Sequence, residues 1–259
     1  MSRGVSRPRP SLDVLLKQAL EGETRPAAFV LAGHNGSGKS TLWYERLAGK
    51  LQLPRINADR LMISILPDSH PLPVWAQALR DDDVRWQTLS QEAVRAFKAL
   101  VMERRMPFAF ETVFSHWQPV PGGGHASKAQ DIQAMQAAGY FVVLLFVGLA
   151  SPDLSVFRVS TRKKQGGHDV PFDKLIDRFP RTQAAVGHAA PLADMTLMFD
   201  NSRGFAHAFS LVRAQRQHTV LFDARDPQYK TDPDLRTVAQ LWLDRVSGPW
   251  AAPPVPAQP

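Results

Sequence analysis

The sequence predicts an α/β protein in which a mostly parallel sheet is flanked by helices. Two long apolar runs, "PAAFVLAG" (26–33) and "YFVVLLFVGL" (140–149), are typical of parallel strands buried on both faces. A third run, "MPFAFETVF" (106–114), lies between them, and segments of helical periodicity separate all three. Strands that alternate with helices form parallel sheets covered on both sides.

Composition predicts a single soluble domain without a membrane segment. The chain has 259 residues, 44% of them hydrophobic and 21% charged. No apolar stretch approaches the roughly 20 residues that a membrane helix needs. Because cysteine is absent, disulfides and thiolate metal sites are excluded, and a cytoplasmic location is the natural expectation. We expect a basic arm with a lead-in helix over 1–24, the main domain over 25–247, and a Pro-rich disordered tail over 248–259.

The charge balance leaves two classes of partner open. The formal net charge is +7, and three arginines lie in the arm "MSRGVSRPRP", which is expected to be disordered. A basic surface is typical of nucleic-acid-binding proteins. It would equally suit an enzyme that acts on phosphorylated small molecules.

The elements of the first half follow from periodicity. Leucines at helical spacing predict a helix over 40–53, and "PRINAD" (54–59) is a plausible short strand. A long helix is predicted over 84–105. Its apolar face consists of Trp86, Leu89, Ala93, Val94, Phe97 and Val101.

The second half continues the alternation. The Pro- and Gly-rich segment 118–127 is predicted to be an exposed loop, and Gly139 to cap the helix that ends at Ala138. A helix is expected from Ser151, and Pro180 is expected to kink or bound the helix after it. Further strands are predicted over 195–202 and 218–226, followed by the closing helix "DLRTVAQLWLDRV".

The segment "GHNGSGKST" matches the phosphate-binding loop G-x-x-x-x-G-K-[ST] in full, between a strand and a helix. Backbone N–H groups of such a loop surround phosphate oxygens, the lysine reaches the β- and γ-phosphates, and the serine hydroxyl ligates Mg²⁺. The predicted fold is therefore a P-loop NTPase-type three-layer sandwich. The predicted cofactors are ATP and Mg²⁺, and Ser40 is the predicted metal ligand. The predicted ATP-binding residues are Gly33, His34, Asn35, Gly36, Ser37, Gly38, Lys39, Ser40 and Thr41.

The loop alone would serve a motor, a switch or a phosphotransferase. The chain shows neither an apolar strand ending in an aspartate followed by glutamate nor the guanine-reading N-K-x-D. These absences favour a small phosphotransferase.

Two carboxylates are candidates for the acceptor site, because ligands bind beyond the carboxyl ends of parallel strands. Asp59 is the better candidate for orienting and deprotonating an acceptor hydroxyl, and Glu111 for holding the acceptor or a metal-bound water. Asp59 could instead cap a helix that starts at Arg60, and Glu111 could be a buried carboxylate paired with an arginine.

Cationic side chains that could stabilise a transferred phosphoryl group lie on the helix after Ser151. Arg158 and Arg162 share one face, and "QGGHDVP" after them could be a lid hinge. The two arginines could equally be solvated. In that segment His168 is expected to fix the lid rather than to contact phosphate. Asp200 and Asn201 could line an adenine pocket or form a turn.

At these residues the sequence resembles the zeta toxin family of P-loop kinases. The matching pieces, in order, are "GHNGSGKST", "INADR", "FAFETVFSH", "AAGYFVVLLFVGLASPDLSVFRVSTRKKQGGHDVP" and "FDNS". The resemblance implies ATP-dependent phosphorylation of the 3′-hydroxyl of a UDP-activated amino sugar. Relatives of this fold also phosphorylate nicotinamide dinucleotides, and a separate antitoxin protein is an implied partner.

Site residues carried over from the resemblance are Lys39 for phosphate, Asp59 as the catalytic base, and Glu111 with Thr112 as acceptor contacts. Arg158 and Arg162 would clamp phosphates. The segment "WQPVPGGGHASK" departs from the family pattern where an acceptor might bind.

Two other functions stay open. A nucleic-acid end kinase or RNA-binding ATPase would explain the charge, but the chain has no aromatic-rich basic RNA-binding motif, so nucleic acid is not the predicted partner. The other open function is that of a non-catalytic protein that binds nucleotide in order to interact with a partner. Such a protein would bind ATP but transfer no phosphoryl group to an acceptor.

Overall fold

The computed structural model describes residues 7–69, 71–82, 84–164 and 170–247. A seven-stranded sheet forms the centre, in the order β2-β3-β1-β6-β7-β8-β9, and β4 and β5 form a separate hairpin. The strands are β1 (Ala27–Gly33), β2 (Arg55–Ile56), β3 (Phe108–Thr112), β4 (Trp117–Pro119), β5 (His125–Ser127), β6 (Phe141–Gly148), β7 (Met195–Asp200), β8 (Ser210–Arg216) and β9 (Thr219–Asp223). The predicted α/β class with a mostly parallel sheet is confirmed.

The five strands β2, β3, β1, β6 and β7 are parallel and bring the carboxyl ends of β1 and β3 to one edge. Leu31 of β1 lies opposite Glu111 of β3 and Leu145 of β6. Every residue of β6 and β7 is buried, as the apolar runs predicted. The loop that follows Gly33 therefore starts beside Glu111, at the edge where ligands bind in such sheets.

Two antiparallel strands close the sheet, and one of them was missed by the sequence analysis. β8 carries the polar sequence "SLVRAQR" and has no apolar run, yet all but its last residue are buried. Arg213 of β8 can be buried because its Nη1 donates to Asp223 Oδ2 of β9 over 2.6 Å. β9 lies within the predicted strand 218–226, which ends three residues later than the observed one.

Helices flank the sheet, and most lie where they were predicted. They are α1 (Leu12–Leu20), α2 (Lys39–Leu42), α3 (Ala48–Leu51), α4 (Ala58–Ser64), α5 (Val74–Asp82), α6 (Val84–Glu103), α7 (Ala129–Ala137), α8 (Pro152–Lys164), α9 (Phe172–Ala189), α10 (Pro233–Trp242) and α11 (Asp244–Ser247). A π-helical turn, Trp43–Leu47, joins α2 to α3, so the predicted helix over 40–53 is irregular. Gly139 ends α7 with a φ of 79°, which confirms the predicted cap.

Three local predictions are corrected. Helix α9 continues through Pro180, so this proline is not a helix boundary. The segment 118–127 is not a simple loop, because β4 and β5 pair across three glycines. The arm was predicted to be disordered, but Arg7 N–H donates to Gln228 O over 2.8 Å and Arg7 O accepts from Lys230 N–H. Arg7 is therefore hydrogen-bonded to the main domain.

The described residues contain no helix with the length and apolarity that a bilayer crossing requires.

Candidate active site

The phosphate loop has a left-handed backbone at two glycines, where a side chain would be strained. Gly38 has a φ of 93° and directly precedes α2. A Cβ at this position would lie 2.8 Å from Asn201 Nδ2 and 3.0 Å from the ring of Phe209. At Gly36, with a φ of 69°, a Cβ would lie 3.1 Å from Arg158 Cβ. Packing around the loop, and not only its backbone angles, therefore disfavours side chains at these two positions.

Two neighbouring elements hold the loop in place. Ser155 Oγ of α8 donates to Asn35 O over 2.7 Å, and Asn201 Nδ2 donates to Ser37 O over 2.8 Å. Asn201 is thus a brace of the phosphate loop, a role that neither sequence-based alternative included. Asp200 is fully buried and accepts hydrogen bonds from Trp242 Nε1 and from Ser202 Oγ. These contacts give Asp200 a role in holding the structure together.

The carboxylate of Glu111 connects the loop to the neighbouring strands. Ser40 Oγ donates to Glu111 Oε2 over 2.7 Å, Arg55 Nη1 lies 3.2 Å from the same oxygen, and Lys39 Nζ is 4.0 Å from Oε1. Lys39 Nζ also donates to the carbonyls of Gly33 and His34. Glu111 is therefore both the arginine-paired carboxylate of one sequence-based alternative and a neighbour of Lys39 and Ser40 in the phosphate loop.

This cluster fits a magnesium ion. Mg²⁺ prefers oxygen ligands and is held by one or two protein groups together with nucleotide phosphates. The hydroxyl of Ser40 and the carboxylate of Glu111 are already in contact at the start of α2. Among the described residues no group of three or more His, Cys, Asp or Glu could hold a metal by itself, so a divalent ion here would need the nucleotide.

His34 is an unusual member of the loop because its imidazole is buried without a hydrogen bond. The ring is 2% exposed and, among the described residues, neither nitrogen has a partner. It stacks on Phe179 of α9 at 3.9 Å between ring centroids and meets Phe146 edge to face. Burial, with a smaller contribution from Lys39, lowers the pKa of His34 to about 3, so the ring is neutral.

A cavity of about 490 Å³ opens directly beside the phosphate loop; we call it the acceptor cavity. It shares Asn35, Gly36 and Lys39 with the loop, and Glu111 and Thr112 also line it. Two acidic side chains, Glu111 and Asp131, face six basic ones. The basic residues are Lys39, Arg95, Lys98, Lys128, Arg162 and Arg178.

Paired charges on α6 and α7 form the far wall of the acceptor cavity. Asp131 Oδ2 lies 3.3 Å from Lys98 Nζ and 3.6 Å from Lys128 Nζ, so one carboxylate serves two ammonium groups. Lys98 Nζ also lies 4.4 Å from the centre of the Phe110 ring. Burial lowers the pKa of Lys98, and Asp131 opposes that shift. The cavity keeps an excess of positive charge, which favours an anionic ligand.

Asp59 lies in the first turn of α4, but it does not cap the helix. Asn57 is the N-cap, and its side chain accepts from Arg60 N–H over 3.2 Å. The capping alternative for Asp59 is therefore wrong. Asn57 and Ala58, which precede Asp59, line the acceptor cavity, whereas the Asp59 side chain lies outside the described part of the structure.

The two arginines of α8 occupy different surroundings. Arg158 is half-buried, with its Cβ against Gly36, and burial lowers its pKa while Asp200 opposes that shift. Arg162, one turn further, is exposed and lines the acceptor cavity. The predicted lid hinge, including His168, lies outside the described residues.

Several cavity residues were missed by the sequence analysis. Gln91, Arg95 and Lys98 follow one another at helical spacing along α6, and Lys128 precedes α7. Their helical spacing places these three polar residues on one face of α6, which the sequence already shows. Such a polar face is usually solvated, so it did not indicate a binding site. Of the segment 117–128, only Lys128 lines the acceptor cavity, so the hairpin itself does not form that wall.

The parallel sheet, the glycine-rich loop on its central strand and the adjoining basic cavity define a P-loop protein of the kinase class. The family described as "Zeta toxin" matches residues 13–223, and the chain belongs to this family. No curated protein sequence is significantly similar to the chain.

Two solved structures share the fold. One comes from a study of the PezAT chromosomal toxin-antitoxin system of Streptococcus pneumoniae, with 14% identity, a TM-score of 0.53, and coverage of 91% of this chain and 85% of that one. The other is AvrRxo1-ORF1:-ORF2 with ATP, with 14% identity, a TM-score of 0.58, and coverage of 92% and 69%.

Proposed function

We propose that the protein transfers the γ-phosphoryl group of ATP to a hydroxyl of a small nucleotide-containing acceptor, foremost a UDP-activated amino sugar. The observation that carries the proposal is the acceptor cavity, which shares Lys39 with the phosphate loop and presents six basic side chains. A diphosphate-bearing acceptor would match both this charge and the volume of about 490 Å³, which lies in the range of small-molecule sites. Family membership supports the use of ATP.

In this mechanism Lys39 binds the β- and γ-phosphates, and the N–H groups at the start of α2 bind the remaining oxygens. Mg²⁺, held by Ser40 and directly or through water by Glu111, would neutralise charge on the phosphates. The acceptor oxygen attacks the γ-phosphorus as the bond to the bridging oxygen breaks, and ADP leaves. The proton of the acceptor hydroxyl passes to a carboxylate, for which we propose Asp59.

The two arginines of α8 would act at different points. Arg158, whose Cβ lies beside Gly36, would stabilise charge on the transferred group with its guanidinium. Arg162 would bind the phosphates of the acceptor from the cavity wall. This division refines the expectation that both clamp the same phosphates.

The test is transfer of label from γ-labelled ATP to a panel containing UDP-N-acetylglucosamine, other nucleotide sugars, nicotinamide dinucleotides and oligonucleotides. Labelling of a UDP-amino sugar at the 3′-hydroxyl, located by phosphorus NMR of the product, is the expected result. Labelling of a dinucleotide or an oligonucleotide alone would replace the proposed acceptor. ATP binding without any labelled acceptor would favour a non-catalytic role.

Two lysine variants provide the control for this assay. Lys39→Ala removes the phosphate contact and should abolish labelling. Lys50→Ala changes an exposed lysine on α3 that pairs with Asp13, and it should label like wild type. Equal activity of the two variants would contradict the assignment of the phosphate loop.

We also propose a separate antitoxin protein as a partner. The support is membership of the Zeta toxin family, together with the fold shared with a structure from the PezAT toxin-antitoxin system. Co-expression with a candidate antitoxin should yield a co-purifying complex with reduced transfer activity. Purification as a single species with unchanged activity would contradict this.

A further inference from the structure

A second cavity lies away from the phosphate loop, and nothing in the proposed reaction uses it. It has a volume of about 510 Å³ and is bounded by the end of α9, by β8 and by α11. Gln215, one of its lining residues, pairs with Thr196 near the amino end of β7. Because the phosphate loop follows the carboxyl end of a parallel strand, this rear cavity lies toward the opposite end of the sheet.

The rear cavity is lined by two arginines and two histidines. They are His188 on α9, Arg213 on β8, His218 at the β8–β9 turn and Arg245 on α11, and no carboxylate is among the described lining residues. Basic groups from four separate elements converge here. A solvated helix face would place them along one element instead.

Arg213 is the structural centre of this group because it is buried, at 8% exposure. Its Nε donates to Gln215 Oε1 over 2.8 Å and its Nη1 to Asp223 Oδ2 over 2.6 Å. Within the described residues, Nη2 has no such bond. The guanidinium is thus held in a fixed orientation by buried partners, with donor capacity left over.

Arg213 shares its carboxylate partner with a second arginine, Arg225, which also pairs with Asp244. Its partner Asp223 is fully buried and is shared with Arg225, whose Nη2 lies 2.7 Å from the same oxygen. Burial lowers the pKa of Arg213, Asp223 raises it, and Arg225 lowers it again. An anion in the rear cavity would add a second negatively charged partner for Arg213.

Apolar residues form much of the remaining wall of the rear cavity, together with the polar Gln215 and Ser247. Trp117 of the β4–β5 hairpin, Pro191 and Val246 line it, and Trp117 is held by a stacked contact with His125 at 4.3 Å between ring centroids. Such a mixture of a few fixed polar groups with apolar walls is typical of small-molecule sites.

We propose that the rear cavity binds a small organic phosphate, with Arg213, Arg245 and the two histidines around the phosphate and Trp117 against the organic part. The site is separate from the acceptor cavity and does not depend on the proposed kinase activity. A phosphorylated metabolite bound there would contact α9, the helix that also carries Phe179 and Arg178 on the active-site side.

The test is histidine NMR of the full-length protein titrated with phenyl phosphate and, in parallel, with inorganic phosphate. His188 and His218 report on the rear cavity, whereas His34 and His116 report on the phosphate loop and the acceptor cavity. Their imidazole signals can be assigned from single His→Gln variants. We expect His188 and His218 to shift with a common saturable curve, and phenyl phosphate to bind more tightly than inorganic phosphate.

Arg245 is exposed, so its replacement should leave the fold intact. Arg245→Ala should weaken binding at the rear cavity roughly tenfold, the loss of one hydrogen bond between charged groups. Arg216→Ala, an exposed arginine on β8 outside the cavity, is the matched control and should bind like wild type. Arg213→Lys keeps the charge but loses the fixed fork, so it should also weaken binding.

Three results would overturn the proposal. One is that only the His34 or His116 signals shift, which would place binding at the active site. Another is that Arg245→Ala and Arg216→Ala bind equally. The last is that inorganic phosphate binds as tightly as phenyl phosphate, which would leave a general anion site without the organic part.

Discussion

His34 gives a prediction whose size follows directly from its burial. The folded protein holds this imidazole neutral, with a pKa of about 3 against an ordinary value of 6.5. The unfolded chain binds a proton below pH 6.5, whereas the folded chain does so only near pH 3. The unfolded state therefore binds more protons throughout this window, and stability falls as the pH falls through it.

The magnitude is about 1 kcal/mol of unfolding free energy for each pH unit below the unfolded pKa. The expected loss of unfolding free energy between about pH 7.5 and about pH 5.5 is the same for any pKa of His34 in the folded state that lies well below 5. The variant His34→Phe removes the titrating group while keeping an aromatic ring against Phe179. Its backbone carbonyl, which accepts from Lys39 Nζ, is unchanged. Replacing buried unpaired nitrogens by an apolar ring should not itself cost much stability.

The assay is urea unfolding of wild type and His34→Phe at both pH values. All other titrating groups are common to the two proteins, so the difference between their pH-dependent losses isolates His34. We expect wild type to lose about 1 kcal/mol more than the variant on acidification. The control is His125→Phe, which changes an exposed histidine stacked on Trp117 and should follow wild type. Parallel losses in wild type and His34→Phe would refute the reasoning, since His34 would then titrate alike in both states.

Three further predictions concern transfer chemistry. If Asp59 is the general base, Asp59→Asn should keep ATP affinity and lower phosphoryl transfer by roughly 10²–10⁴-fold, measured with labelled ATP. Retained transfer would move the role of general base to Glu111. In steady-state kinetics, Arg158→Ala should lower kcat, whereas Arg162→Ala should chiefly raise KM for the acceptor. Identical effects of the two variants would contradict the different roles proposed for the two arginines. Gly38→Ala should weaken ATP binding, measured by calorimetry, because a methyl group there displaces the side chain that braces the loop; wild-type affinity would show that the loop adapts.

The phosphate loop was predictable from the sequence because its function depends on adjacent backbone groups. A contiguous motif carries its own geometry, so "GHNGSGKST" predicted the loop, its place after a buried strand and the helix that follows. The central parallel strands were predictable for a similar reason, since burial on both faces requires an unbroken apolar run. β8 was missed because its buried polar residues are satisfied by partners on other segments, which no local pattern shows.

The residues that would recognise an acceptor depended on the tertiary structure. Glu111 meets Ser40 across 71 positions of sequence, and the basic wall of the acceptor cavity combines α6, α7, α8 and α9. The structure likewise separated Arg158 from Arg162, although both lie on one helix, and assigned the cap of α4 to Asn57. Charge at a point in space is the sum over all elements that reach it, whereas periodicity reports only the faces of one element. The sequence alone therefore predicted the loop that we propose binds phosphate, and only the packing of distant helices decided which charges surround the acceptor cavity.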